Sequence, residues 1–138
     1  MAKHHANLSS LRKELLALRQ RLETLIQGLL AREPMLPGCV YTIRRRCGKP
    51  TCRCTRGELH ETVLLSYRGA GRARNVTPRS EAELALFRKL TEPYQRFRRA
   101  RAELVKVHKE MLRVLGLMER IRVADGERRF RKIRPDVG

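Results

Sequence analysis

The chain has 138 residues, which is enough for one domain, and its 32 lysine and arginine residues against 14 acidic ones give a net charge of +18. Only 4% of the residues are aromatic and there is no tryptophan, so the composition favours helices packed along a narrow aliphatic seam. No apolar run approaches the ~18 residues of a membrane-spanning helix, and the high positive charge favours a polyanionic partner over a membrane.

The first predicted element is a helix over 8–33. Its leucines recur at alternating spacings of three and four, which is the period of a coiled-coil seam. The seam consists of Leu8, Leu11, Leu15, Leu18, Leu22, Leu25 and Leu29. Asn7, Ser9 or Ser10 can supply the N-cap, and Pro34 ends the helix.

The middle of the chain, 38–77, has a different pattern. Residues 39–43, 62–68 and 72–76 are rich in β-branched and aromatic side chains, and a glycine turn at 69–71 separates the last two segments. We therefore predict a three-stranded antiparallel sheet, inserted between two helical segments.

The last segment, 79–123, carries a second seam with the same alternation of spacings. That seam consists of Phe97, Ala100, Leu104, Val107, Met111, Val114, Met118 and Ile121. Pro93 predicts a break between a short helix and a long one. Asp125 and Gly126 predict the end of the long helix, and we predict a basic tail over 125–138.

Together the two seams predict an α+β fold: a long antiparallel coiled-coil hairpin with an inserted sheet, forming a single domain over 1–138. An alternative is that the seams serve an oligomer, including a homodimer of hairpins.

Three cysteines and a histidine lie close together between the first two predicted strands. Cys47, Cys52, Cys54 and His60 make a Cys3His set of the kind that closes a tetrahedral structural zinc site. Cys39 is an alternative fourth ligand. The chain does not start with the apolar block of a signal peptide, so we expect a reducing cytoplasm, where clustered cysteines favour metal over disulfides.

Ten basic residues and only two acidic ones, Glu58 and Glu61, lie between positions 39 and 79. Fixed guanidinium groups suit phosphate recognition. The predicted nucleic-acid-binding residues are Arg44, Arg45, Arg46, Lys49, Arg53, Arg56, Arg68, Arg72 and Arg74.

These features favour a non-enzymatic accessory protein that binds RNA or DNA, together with other proteins of a nucleoprotein complex. One alternative is a coiled-coil adaptor for an acidic protein. A metal-dependent enzyme is the third interpretation, but Glu58 and Glu61 are the only carboxylates near the predicted metal and nothing distinguishes them as a general base.

The segment from Cys47 to His60 resembles the Cys-Gly-Lys-x-x-Cys-x-Cys-x-x-Gly-x-x-His core of a bacterial and archaeal family, a domain of unknown function. The resemblance extends over 36–121 and includes a Tyr-x-x-Phe-Arg step at Tyr94. It implies a zinc knuckle with a coiled coil, often encoded near mobile elements, and no established activity. The sequence departs from the family after His60, where Glu61-Thr62-Val63 replaces the usual Gly-Pro-Tyr.

Overall fold

The structure is a computed structural model that describes residues 7–137. Its helices and strands follow in the order α1 (Leu8–Leu29), β1 (Gly38–Arg45), β2 (His60–Gly69), β3 (Arg72–Val76) and α2 (Glu81–Ile133). This arrangement confirms the predicted α+β class, with two helices flanking an inserted antiparallel sheet.

The described chain groups into two compact units. The helical unit comprises residues 7–30 and 100–137, and the sheet unit comprises residues 31–99. Helix α2 contributes residues to both units, and the single-domain interpretation stays a prediction.

The leucine seam forms the core of the helical unit. Leu11, Val107 and Val114 are at most 2% exposed, and all three are seam positions. Arg21 bonds Glu103 at 2.5 Å and Arg113 bonds Glu14 at 2.6 Å. From Glu14 to Arg21 the residue number rises along α1, whereas that of the bonded partner on α2 falls from 113 to 103. The two helices therefore run antiparallel, as the seams predicted.

Helix α1 begins where the sequence indicated but ends earlier. The Asn7 side chain accepts a hydrogen bond from the Ser10 amide at 2.8 Å, so Asn7 is the N-cap. The predicted end at residue 33 is wrong, since α1 stops at Leu29 and the Leu30 amide closes the last turn. The α conformation is disfavoured immediately before Pro34, and Gly28 weakens the final turn.

The predicted break at Pro93 is also wrong, because α2 is continuous from Glu81 to Ile133. A proline inside a helix removes a hydrogen bond and pushes aside carbonyls of the preceding turn. Here the backbone amide of Leu36 donates to the Leu90 carbonyl at 2.8 Å, and the Thr91 hydroxyl donates to Phe87. Pro93 itself is buried. The Leu36 amide from outside the helix and the Thr91 side chain within it thus both bond carbonyls of the turns that precede the proline.

Helix α2 continues past Asp125 and Gly126, so the prediction of a non-helical tail from residue 125 is wrong as far as Ile133. Charged side chains one turn apart support this stretch: Arg128 pairs with Asp125, and Arg131 lies 3.8 Å from Glu127. Such pairs stabilise exposed helices in the absence of an apolar seam.

The sheet has the order β1-β2-β3, and both pairings are antiparallel. Strand β1 pairs with β2 from Gly38 opposite Tyr67 to Arg45 opposite His60. The tight turn between β2 and β3 places Ala70 and Gly71 at φ values of 52° and 76°, as two-residue hairpin turns require. Leu65, on the central strand, is 2% exposed and marks the core of the sheet unit.

Within residues 7–137, no helix has both the length and the apolar character needed to cross a membrane.

Candidate metal centre

The loop between β1 and β2 brings three cysteines to the first residue of β2. Cys47 lies two residues beyond β1, a 3₁₀ turn at Arg53–Arg56 contains Cys54, and His60 opens β2. Gly48 and Gly57 have φ values of 83° and 103°, which L side chains rarely adopt. These two positions let a short loop fold back on itself.

The four ligand atoms of Cys47, Cys52, Cys54 and His60 all lie within 4.8 Å of one another, close enough to hold a metal ion. The sulfurs of Cys47 and Cys54 are 3.6 Å apart, and the Cys52 sulfur is 3.1 Å from His60 Nε2. A tetrahedron built on metal–sulfur bonds of ~2.3 Å has S···S edges of about 3.8 Å, so the spacing suits a tetrahedral ion.

The protein environment favours ionisation of one thiol in particular. Hydrogen bonds from the Cys54 backbone and from the His60 side chain, followed by those of the other thiols, lower the pKa of Cys52 to about 6. The backbone of Lys49 acts to lower the pKa of Cys47, but desolvation and the neighbouring sulfurs prevail and raise it. The cluster therefore contains a thiolate near neutral pH, and thiolates are the form that binds metals.

Cys39 does not belong to the cluster. It stands opposite Ser66 on β2, six residues from His60, which corresponds to ~20 Å along a strand. Its side chain is exposed and lines an open cleft between β1 and α2. Of the two alternatives for the fourth ligand, the structure brings His60 to the three cysteines.

The predicted nucleic-acid-binding residues lie on more than one surface. Side chains alternate between the faces of a strand, and directly paired residues share a face. The register therefore places Arg72 and Arg74 on the same face as Arg44, and Arg45 and Arg68 on the opposite face. The other four residues, Arg46, Lys49, Arg53 and Arg56, belong to the loop around the cluster.

Nearly all of these basic groups are available to a ligand. Arg44 is bound to Glu61 at 2.9 Å, whereas the other eight residues form no ion pair within the described part of the chain. Arg45 and Arg46 line an open cleft of about 520 Å³ beside Cys47 and His60. The cluster and an unneutralised basic surface are thus adjacent.

Sequence reasoning missed one polar contact in the sheet. The Tyr41 hydroxyl lies 3.4 Å from the side-chain oxygen of Asn75, two strands away. Asn75 had no feature to single it out in the sequence, because its partner is defined only by the register of β2 with both neighbours.

A family model for a domain of unknown function, DUF6788, matches residues 12–85. The matched residues include most of α1, the whole sheet and all four clustered ligands. The match begins earlier than the predicted resemblance over 36–121 and ends sooner. No curated protein and no solved structure matches the chain. Because the matched segment covers more than half of the chain, the protein belongs to the DUF6788 family.

Proposed function

We propose that the protein is a non-enzymatic nucleic-acid-binding accessory factor, whose cluster holds a structural zinc ion and whose sheet unit contacts phosphates. It acts in the cytoplasm with other proteins of a nucleoprotein complex. The bacterial or archaeal origin and the link to mobile elements that the Cys-Gly-Lys core implies are part of this proposal. The observation that carries it is the position of the ligand cluster beside five basic side chains that form no ion pair within residues 7–137, namely Arg45, Arg46, Lys49, Arg53 and Arg56.

Zinc is the metal that best suits the donor set. Three thiols and one imidazole are soft or borderline ligands, which zinc binds in closed structural sites. Four protein ligands complete the tetrahedral coordination, so no position is left for a reacting water molecule. The nearby carboxylate of Glu61 is engaged by Arg44. These features support a structural rather than a catalytic role.

The metal proposal is tested by elemental analysis of the purified protein and by the spectrum of a cobalt-substituted sample. We expect one zinc ion per chain and the absorption of tetrahedral cobalt with thiolate ligands. A five-coordinate spectrum with exchangeable water would favour the enzyme interpretation, and a metal-free folded protein would contradict the proposal.

Nucleic-acid binding is tested by fluorescence anisotropy across a range of salt concentrations. Each phosphate neutralised by a basic side chain releases counterions, so affinity should fall steeply with salt. Substituting Arg72→Ala together with Arg74→Ala should weaken binding to all sequences and flatten the log–log salt slope by about 2.

The matched control is the pair Arg120→Ala and Arg122→Ala, which removes the same charge from exposed positions of α2. It should change the slope much less. Absence of binding at low salt, or equal effects of the two double variants, would contradict the proposed sheet contacts.

A second candidate, an adaptor for an acidic protein partner, is favoured by exposed apolar side chains on both helices of the helical unit. Leu16, Leu112 and Leu115 are 54%, 57% and 44% exposed. A contiguous exposed apolar patch marks an interaction surface, and the adaptor proposal assigns these three side chains to one. A complex that survives nuclease treatment and high salt would support the adaptor.

A further inference from the structure

One face of the sheet is open. By alternation and register it contains residues from all three strands, including Tyr41, Arg45, Leu64, Ser66, Arg68 and Asn75. None of these open-face residues is buried, whereas the opposite face contains Leu65 at 2% exposure. The open face is therefore accessible to a ligand from solvent.

Tyr41 leans across this open face. Its hydroxyl approaches Asn75 on β3, and β2 lies between the two strands. Neighbouring strands are ~4.8 Å apart, so the contact spans about 10 Å across the sheet. A side chain standing upright on β1 cannot cover that distance. The aromatic side chain therefore crosses over β2 near Leu64 and Ser66, where it stays partly exposed to solvent.

The charges on the open face suit a polyanion. Arg45 and Arg68 are exposed at opposite ends of the face, and no strand residue on it is acidic. Glu61, the acidic residue of the strands, lies on the other face with Arg44. The amide of Asn75 provides a donor and an acceptor, which can bond the edge of a base.

A partly exposed aromatic side chain between basic groups selects unpaired bases. In a duplex the faces of the bases are covered by their neighbours, whereas a single strand can place a base on an aromatic side chain. Arginines on either side then hold the backbone by charge.

We propose that this open face binds single-stranded nucleic acid, with one base stacked on Tyr41 and phosphates held by Arg45 and Arg68. The inference rests on the proposed nucleic-acid-binding function and names its substrate class. Duplex binding, in contrast, uses only the phosphate contacts.

The test compares the full-length protein with its Tyr41→Ala and Tyr41→Phe variants. Anisotropy is measured with labelled oligothymidylate, oligouridylate and a duplex of the same length, at one salt concentration. Base stacking on an aromatic side chain is lost in Tyr41→Ala, so we expect its affinity for both single strands to fall by about tenfold to a hundredfold. Affinity for the duplex should change less than twofold. Tyr41→Phe keeps the ring and should retain most of the affinity.

A second measurement uses the wild-type protein. The chain contains three tyrosines and no tryptophan, so stacking of unlabelled oligothymidylate on Tyr41 should quench part of the intrinsic tyrosine fluorescence. The quenching should disappear in Tyr41→Phe. This variant also tests the stacking site if Tyr41→Ala does not fold.

The outcomes separate the two proposals. Wild-type protein that binds no probe overturns the proposed function and this inference together. A second outcome overturns only the stacking site. In it, the wild type binds both single strands and duplex without tyrosine quenching, and Tyr41→Ala shows no selective loss of affinity for either. If oligouridylate and oligothymidylate respond differently, the site responds to the 2′-hydroxyl or to the 5-methyl group in which the two probes differ, and the inference stands.

Discussion

The helical unit and the sheet unit are stabilised in different ways. In the helical unit, Leu11, Val107 and Val114 are almost completely removed from water by a regular seam. In the sheet unit, few side chains are buried, and one of them is Cys54, a member of the Cys/His cluster. Periodic hydrophobic burial can hold two helices together, whereas a small sheet with few buried side chains gains less stability from its apolar surface. In the proposed function, a metal ion held by the cluster supplies the missing cross-links.

The largest effect is expected from removing a ligand of the cluster. Binding of structural zinc to small peptides contributes on the order of 10 kcal/mol to folding. We therefore expect Cys52→Ser to abolish stoichiometric zinc binding and to unfold the sheet, while helical content stays largely intact. Circular dichroism with elemental analysis measures both effects, and amide hydrogen exchange separates the strands from the helices.

Cys39→Ser is the matched control, because Cys39 is exposed and lies outside the cluster. It should melt as the wild type does and bind one zinc ion. If Cys52→Ser showed an unchanged melting transition with zinc still bound one-to-one, the cluster would not be what stabilises the sheet.

The second-largest effect is expected from shortening a buried side chain of the leucine seam. Leu11 is 2% exposed, so Leu11→Ala leaves a cavity and should lower the free energy of unfolding by about 2–5 kcal/mol. Zinc stoichiometry should not change. The control is Leu16, which directly follows the seam residue Leu15 but is 54% exposed, and Leu16→Ala should stay within about 0.5 kcal/mol of the wild type. Equal destabilisation by both variants in urea titrations would mean that the seam is not the core.

The two units also differ in how far the sequence predicts them. Spacing alone identified Leu11 and Val107, because a seam is a local periodic property of each helix. The three sheet strands and the clustered ligands also followed from local patterns, namely β-branched runs and closely spaced cysteines. Local patterns did not decide whether Cys39 or His60 joins the cluster, because that depends on the register between β1 and β2.

The wrong predictions have the same origin. Pro93 reads locally as a break, but the Leu36 amide, distant in sequence, satisfies the Leu90 carbonyl. Gly126 is the exception: it predicts a helix end, but the oppositely charged side chains that support the helix there are only three or four residues apart, so this support is local in sequence. Alternation along a strand places Arg44 and Arg45 on opposite faces, but which of the two shares a face with Arg72 and Arg74 required strand pairing to be known.

The smallest effect is expected from removing the charge of Glu103, which forms an ion pair with Arg21 in the helical unit. Glu103 accepts hydrogen bonds from Lys106 and Arg21, and these charges lower the pKa of its carboxyl group below the ordinary 4.5. A carboxyl group whose pKa is lower in the folded state stabilises the fold above its unfolded pKa, and this contribution disappears as the pH falls through the folded pKa. Glu103→Gln should therefore lower the Tm slightly at neutral pH, by a few degrees at most, and the difference from wild type should vanish in acid.

Glu119→Gln, at an exposed position without an ion-pair partner in the described chain, should show no such convergence. A difference between Glu103→Gln and wild type that persisted unchanged into acid would assign the effect to packing rather than to charge.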